Sequence, residues 1–267
     1  GISQPAFSTR IRNLEQKLGA PVVKRGNRFA GFTTEGEIAL VWARRILQDA
    51  EAMRQDVTAA RKGLTGHVAL GAIPTAVPVA ARASIALKRA HPGLTIEIRS
   101  STASNILREL GSFDMDVALT YLEGLDRPLL RTETLYEERY VLLAPRRLVD
   151  ARAQEIGWRQ AADIPLCLMS TDMTNRKIID RVFASIGATP VMALETNAFT
   201  AALVQVSAGL AATIAPVALV ESLPMGGEIA TLPLTDPEVA EPVGLVWTGQ
   251  DPEAPTVRAI LEAFRGL

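Results

Sequence analysis

The stretch ISQPAFSTRIRNLEQKLGAP, residues 2–21, decides how the first part of this chain folds. Ser3 is a favourable residue just before a helix, and Pro5 is well tolerated in a first helical turn. Gly19 is typical of a residue that ends a helix. Apolar side chains recur between these signals at spacings of four, three and four residues, at Phe7, Ile11, Leu14 and Leu18. This spacing predicts a helix over residues 3–18 with one apolar face.

The residues that follow predict a small hairpin and then a long helix. A short extended piece over 22–25, the turn Gly26-Asn27 and residues 28–29 indicate a hairpin with a basic tip. Thr33 is placed to cap a helix that continues to about Lys62. Apolar residues with a period of 3.5 run along this helix at Ile46, Ala50, Met53, Val57 and Ala60. That period favours a two-stranded dimerisation helix, and a helix packed on its own domain is the alternative.

From Gly66 onward, extended and helical patterns alternate, which predicts an α/β fold with parallel sheets. The predicted strands are 67–73, 94–100, 116–121, 138–144, 165–170, 191–196, 211–215 and 243–248. The predicted helices are 78–90, 103–111, 174–186, 199–208 and 255–265. About 200 residues is large for one sheet, so we expect two sheets with crossover strands and a ligand cleft at the strand ends.

Composition narrows the class of protein. The chain has 267 residues, of which 48% are hydrophobic and 21% charged, as in ordinary globular proteins. We find no apolar run long enough for a membrane helix and no signal-peptide pattern at the start, so neither a membrane partner nor export is expected. One cysteine and two histidines argue against a disulfide, a zinc site or another metal centre.

Charge is distributed unevenly along the chain. Residues 1–63 carry 11 Lys and Arg against 6 Asp and Glu, whereas residues 64–267 carry 17 against 23. A basic head on an acidic body indicates a polyanion partner such as nucleic acid, with an ordinary solvated basic surface as the alternative.

These segments together resemble the LysR-type transcriptional regulators over essentially the whole chain. In the basic head the resemblance rests on residues 2–8, 11–15, 18–21, 24–26 and 32–36. In the acidic body it rests on Gly71-Ala72-Ile73-Pro74-Thr75, Asp114-Met115-Asp116-Val117-Ala118-Leu119 and Val206-Ser207-Ala208-Gly209-Leu210-Ala211.

The resemblance implies three parts. Residues 1–32 would be a winged helix-turn-helix whose first part this chain lacks, with 3–18 as recognition helix and 22–32 as wing. Residues 33–63 would be a linker helix that dimerises. Residues 64–267 would be an effector domain like a periplasmic binding protein of type 2, with subdomain I at about 64–136 and 238–267 and subdomain II at about 137–237.

A recognition helix presents its first turns to base edges, and a wing suits phosphate or minor-groove contact. Thr9 stands where many relatives have arginine, which puts one family contact in doubt, and Arg10 or Arg12 would substitute for it. Thr33 and the amides near it could hold a phosphate at a helix start. The predicted DNA-contacting residues are Ser3, Gln4, Pro5, Ser8, Thr9, Arg10, Arg12, Arg25, Asn27, Arg28 and Thr33.

Hydroxyls and amides at the starts of helices suit a small anionic effector, although ordinary helix capping needs the same residue types. The predicted effector-contacting residues follow the strands of both subdomains: Pro74, Thr75, Ser101, Thr102, Thr120, Tyr121, Ser170, Thr171, Asn197, Phe199 and Thr200. The resemblance further implies double-stranded promoter DNA as partner, a homodimer and then a homotetramer, RNA polymerase contact and a cytoplasmic location. No cofactor is expected.

Two other classes share this cleft fold. A solute-binding protein would have a signal peptide and no basic helix-turn-helix segment, which the basic head disfavours. An enzyme would need a nucleophile and a base or a cofactor motif, and we find no nucleophile elbow, Walker loop or histidine triad in the sequence. No catalytic residue is therefore predicted.

Overall fold

The computed structural model describes residues 3–24, 29–125, 129–222 and 226–267. Helix α1 spans Gln4–Leu18, as predicted, and Gly19 ends it with a left-handed φ of 71°. The chain then folds back, because the Glu15 carboxylate accepts a hydrogen bond from the amide of Val22 at 2.8 Å. An antiparallel bridge between Val23 and Phe32 confirms the base of the predicted hairpin. The tip of that hairpin lies outside the described residues.

Helix α2 spans Thr34–Lys62. The Thr33 hydroxyl caps it as predicted, accepting from the amide of Gly36 at 2.9 Å and donating to the carbonyl of Pro21 at 2.6 Å. Gly36 is required there, because a Cβ atom would stand 1.9 Å from the carbonyl oxygen of Val22. The cap therefore fixes the hairpin base against the first turn of α2.

Helix α2 also contacts the rest of the chain along one side. Arg44 donates to the backbone of Ser112 and pairs with Asp114, each at 3.2 Å. Farther along the helix, Asp56 accepts from Arg258 at 3.2 Å. These polar contacts hold the long helix against the body that follows it.

Alternating strands and helices follow α2, as the sequence predicts. In chain order they are β1 (Thr65–Ala72), α3 (Val77–Ala90), β2 (Gly93–Ser100), α4 (Ala103–Gly111), β3 (Val117–Tyr121), β4 (Leu130–Pro145), β5 (Ile156–Gly157), α5 (Trp158–Ala162), β6 (Leu166–Met169), α6 (Thr174–Ser185), β7 (Met192–Thr196), α7 (Phe199–Ser207), β8 (Thr213–Pro216), α8 (Val217–Val220), β9 (Ile229–Thr235), β10 (Ala240–Thr248) and α9 (Pro255–Arg265).

The sheets are mixed rather than parallel, which corrects the expectation from the alternating pattern. Strand β1 lies parallel to β2 and β3, but β10 returns antiparallel between β3 and β4. Strand β4 pairs antiparallel with β8 and β9, and β6 pairs parallel with β7. The departure arises because the chain crosses to the second half along β4 and returns through the β9–β10 connection, so β10 runs opposite to β3 and β4 in the first half.

Strand β4 is the continuous crossing between the two halves. Residues 130–139 pair with β10 in the first subdomain, and residues 140–145 pair with β8 and β9 in the second. A second connection runs from β9 to β10. Each subdomain buries its own apolar side chains, for example Leu70 and Leu94 in the first and Trp158 and Phe183 in the second. Within the described residues, none of the helices is long and apolar enough to cross a bilayer.

Candidate DNA-reading face and effector cleft

Helix α1 places most of the predicted DNA contacts on one exposed face. Residues four apart on a helix lie on the same side, so Gln4, Ser8 and Arg12 form a stripe, with Pro5 and Thr9 beside it. These side chains are exposed except Ser8, which is half-buried. The stripe carries amide, hydroxyl and guanidinium groups, which are the groups that bind base edges and phosphates.

Two of the predicted residues, Ser3 and Arg10, stand apart from this stripe, and a third, Thr9, already uses its hydroxyl. Ser3 precedes α1 and is exposed, but its side chain makes no capping hydrogen bond in the described structure. Arg10 lies about 200° around the helix from Ser8, so the two cannot face one groove wall together. Thr9 lies beside the stripe, and its hydroxyl donates to the carbonyl of Pro5 at 2.9 Å.

The wing is described only at its base. Lys24 donates its amide to the carbonyl of Gly31 at 3.0 Å, which continues the hairpin pairing. The predicted contacts at Arg25, Asn27 and Arg28 lie outside the described residues. The Thr33 hydroxyl already donates to the carbonyl of Pro21. A phosphate at this position would therefore have to bind the backbone amides at the start of α2.

A narrow cavity lies between the two subdomains, and two helix starts meet at it. Thr102 and Ala103 begin α4 in the first subdomain, and Thr174 and Asn175 begin α6 in the second. The remaining wall is formed by Ile73, Pro74, Thr75, Tyr121, Met169 and Met173. Backbone amides at helix starts carry partial positive charge, so the convergence of α4 and α6 favours a bound anion.

The two helix starts differ in how they are capped. The Thr102 hydroxyl accepts from the amide of Asn105 at 3.3 Å and lies 3.1 Å from the hydroxyl of Ser104. At α6 the residue in the capping position is Met173, whose thioether cannot replace a hydroxyl or carboxylate. The start of α6 is therefore the more open of the two to an incoming acceptor.

The predicted effector residues divide into two groups. Pro74, Thr75, Thr102 and Tyr121 line the cavity, and Thr120 is buried next to Tyr121. The others lie away from the cavity wall as the structure describes it. The Ser101 amide donates to the carbonyl of Ala72, and the Ser170 hydroxyl donates to the carboxylate of Asp172. Phe199 is buried in an apolar cluster. Three are exposed, namely Thr171, Asn197 and Thr200.

Asn197 does not cap α7, because Ala198 occupies the capping position. The Thr196 hydroxyl accepts a hydrogen bond from the amide of Ala198 at 3.1 Å. Arg176, another candidate positive charge, is buried and already paired. It donates to Asp180 at 2.8 Å and to Glu195 at 3.0 Å, and to the carbonyl of Met169 at 2.7 Å. Its charge therefore stabilises the end of β6.

Sequence reasoning missed Asn175 and Glu138. Asn175 is 5% exposed at the start of α6, four residues beyond the predicted Thr171. Glu138 is 1% exposed on β4, where it accepts hydrogen bonds from the hydroxyls of Tyr121 and Tyr140. A polar side chain in the first turn of a predicted helix was the available signal for Asn175. Glu138 sits in an alternating charged stretch that looks like solvated surface.

Buried polar atoms accumulate at this place. Within the described ranges, the atoms that lack a hydrogen-bond partner include Thr75 Oγ1, Thr120 Oγ1, Glu138 Oε2 and both amide atoms of Asn175. We call these four residues the cleft polar set. Because unsatisfied buried polar groups cost free energy, such a concentration is typical of a site that receives a polar ligand or ordered water.

Burial raises the pKa of Glu138 to about 7, although the hydroxyls of Tyr121, Tyr140 and Thr75 favour the ionised form. Burial also raises the pKa of Tyr121 and that of Tyr140. The cleft thus has a helix-derived positive potential at its walls and a titratable acid behind them.

Two family models match the chain. "Bacterial regulatory helix-turn-helix protein, lysR family" matches residues 1–37, and "LysR substrate binding domain" matches residues 61–267. A probable hydrogen peroxide-inducible genes activator of Streptomyces viridosporus is 25% identical over 248 residues, which cover 92% of this chain and 79% of that protein.

Solved structures share the fold. A full-length OxyR from Pseudomonas aeruginosa has a TM-score of 0.80 at 21% identity, covering 99% of this chain and 86% of that one. Full-length CbnR in complex with its target DNA has a TM-score of 0.66 at 20% identity, covering 99% and 90%.

A DNA-reading helix joined by a long helix to a two-subdomain receptor defines a ligand-responsive transcriptional regulator. The chain belongs to the LysR family of these regulators. It is a DNA-binding protein whose DNA binding a small molecule modulates, and it is not an enzyme.

Proposed function

We propose that the effector is a small anion that binds in the cavity between the subdomains. The observation that carries this proposal is the convergence of the starts of α4 and α6 on one narrow polar cavity. The Thr75 hydroxyl and the Asn175 amide supply donors beside those helix starts. Because the cavity has room for little more than a water molecule, a larger effector would have to shift the balance between open and closed subdomains.

We propose that the exposed stripe of α1 contacts bases and that Arg12 and the wing contact phosphates. CbnR, which shares this fold, has been solved with its target DNA, and this supports a duplex partner. Ser3, Gln4, Pro5, Ser8 and Thr9 are the proposed base-contacting residues. Arg10, Arg25, Asn27, Arg28 and Thr33 stay proposed contacts.

We propose a homodimer through α2, and from it a tetramer. Ile46, Met53 and Val57 are 64%, 66% and 66% exposed and lie on one side of the helix. A stripe of exposed apolar residues with this spacing is typical of a helix that pairs with a second copy. RNA polymerase contact and a cytoplasmic location are further proposals that the family resemblance supports.

We also propose residues 1–32, 33–63 and 64–267 as the three functional parts. The change of strand pairing along β4 near residue 140 and the β9–β10 connection support subdomain I at about 64–136 and 238–267 and subdomain II at about 137–237.

The anion site is tested by titration calorimetry of the full chain with sulfate, phosphate, acetate and benzoate. We expect at least one of these anions to bind, and Thr102→Ala and Asn175→Ala each to weaken that binding about tenfold, the equivalent of about one hydrogen bond to a charged group. Thr200→Ala, which removes an exposed hydroxyl outside the cavity, is the matched control. Equal anion binding by all variants would show that the anion binds outside this cavity. If none of the anions binds, the anion proposal is refuted.

A further inference from the structure

Glu138 occupies an unusual position for an acid. It lies on the crossing strand β4, two residues before the strand exchanges β10 for β8 as its partner. Its two tyrosine donors come from both sides of that exchange, because Tyr121 ends β3 in the first subdomain and Tyr140 begins the pairing with the second. The carboxyl group is therefore built into the hinge between the subdomains.

The groups that face Glu138 are hydroxyls and acids. Tyr121, Tyr140 and Thr75 surround it, and its cross-strand neighbour on β10 is Glu241, a carboxyl group that is 9% exposed. In the part of the chain that the structure describes, no lysine or arginine pairs with Glu138. A positive charge contacts Glu241 instead, because the guanidinium of Arg181 on α6 lies 3.9 Å from the Glu241 carboxylate.

Glu138 reaches the cleft through Tyr121 and Thr75. Both residues line the cavity, and Thr75 and Glu138 both belong to the cleft polar set. A protonated Glu138 can donate to the Thr75 hydroxyl, and that hydroxyl can then donate its own proton to a ligand oxygen. An ionised Glu138 instead accepts that proton and places a negative charge behind the anion site.

We propose that Glu138 is a positioning residue for the effector: anion binding is coupled to uptake of one proton from solvent by Glu138, which then orients the Thr75 hydroxyl toward the ligand. This inference rests on the anion site proposed above. The carboxylate gains a proton to become a carboxylic acid, and no other bond is made or broken. Because the pKa of Glu138 is about 7, this carboxyl group changes its protonation state within the physiological pH range.

The test measures sulfate binding to the full chain at pH 6 and pH 8, because sulfate keeps its charge over that range. We expect the Kd for sulfate to rise roughly tenfold from pH 6 to pH 8, as for a site that binds only when a group with a pKa near 7 is protonated. Calorimetry in buffers of different ionisation enthalpy should show nearly one proton taken up per sulfate at pH 8.

Two variants separate the role of Glu138 from a general effect of charge. Glu138→Gln keeps an oxygen for Tyr121 and supplies a permanent N–H donor, so its Kd should stay near the wild-type pH 6 value at both pH values. Glu137→Gln removes the neighbouring exposed carboxylate and should keep the wild-type pH dependence. A circular dichroism spectrum like that of wild type would show that each variant folds.

A measurement on wild type alone covers the case in which Glu138→Gln does not fold. With ¹³C-labelled glutamate carboxyl groups, one NMR signal should titrate near pH 7, and sulfate should move its midpoint upward. A Kd that is equal at pH 6 and pH 8, a pH dependence retained by Glu138→Gln, or a carboxyl midpoint unmoved by sulfate would overturn the proton coupling and leave the anion site standing. If no anion of the panel binds at either pH, both proposals fall.

Discussion

Two of the three tryptophans, Trp42 and Trp158, show how differently the two regions of this molecule are stabilised. Trp158, in the receptor, is fully buried, and its indole N–H donates to the carbonyl of Pro237 at 3.1 Å. Trp42, on α2, is 57% exposed and lies under the guanidinium of Arg45. The receptor thus builds its own core, whereas the head and linker present apolar surface for another surface to cover.

The largest effect should come from replacing Trp158 with alanine, and Trp42→Ala is its comparison. Trp158→Ala removes an edge contact with Phe183 at 5.4 Å between ring centroids and leaves a large cavity, so we expect a loss of about 3–5 kcal/mol in the free energy of unfolding. Trp42→Ala should cost the receptor less than about 1 kcal/mol. Urea unfolding of the full chain measures both, and similar losses would contradict a self-contained receptor core.

Stability should also respond to pH through Glu138, because its pKa is about 7 in the folded protein and 4.5 for a solvated glutamate. The folded state then holds more protons than the unfolded state between these values, so this group's contribution to the free energy of unfolding falls as pH rises from 4.5 to 7. The loss is on the order of 3 kcal/mol. Urea unfolding at pH 5 and pH 7 should show a smaller fall in Glu138→Gln than in wild type, and equal falls would refute the assignment.

Self-association through α2 should weaken when a charge is placed on the exposed apolar stripe of this helix. Val57→Glu puts a carboxylate in the proposed helix pair, so we expect at least a tenfold weaker self-association, measured by sedimentation. Leu47→Glu, which changes an equally exposed apolar residue about 100° around the helix, should weaken it less. A Val57→Glu protein that associates as well as wild type would rule out that stripe as the interface.

The smallest effect should be at the DNA-reading face. Arg12→Ala removes one proposed phosphate contact, so the affinity for duplex DNA should fall about tenfold at low salt and the slope of log K against log salt should become shallower by about 1. Arg10→Ala removes the other proposed arginine contact of α1, on a different side of the helix, and should weaken DNA binding less. If Arg10→Ala had the larger effect, the proposed face of α1 would be wrong.

The sequence alone predicts the regular elements closely where apolar spacing or capping is strong. Helices α4 and α9 span the predicted 103–111 and 255–265. The first half of β4 was missed because residues 130–137 are rich in charged residues and only partly buried. The short elements α5, α8 and β5 were missed since two to five residues carry no periodicity, and β9 was also not predicted.

The site was predicted in part. Thr75, Thr102 and Tyr121 follow strands or begin helices, and such positions converge in any sheet of this kind. Glu138 could not be found this way, because its burial depends on Tyr121, Tyr140 and Glu241, which come from different strands. Nothing in the sequence near Glu138 distinguishes it from Glu137, the residue just before it on the same strand, which is exposed.

An anion in the cleft should change how the proposed dimer engages DNA. The direct measurement is a nuclease footprint of the full chain, on a duplex selected by the protein from a random library, with and without the anion that binds most tightly. We predict that the anion alters the length or spacing of the wild-type footprint and leaves that of Thr102→Ala unchanged. A wild-type footprint that is identical at saturating anion would contradict the account.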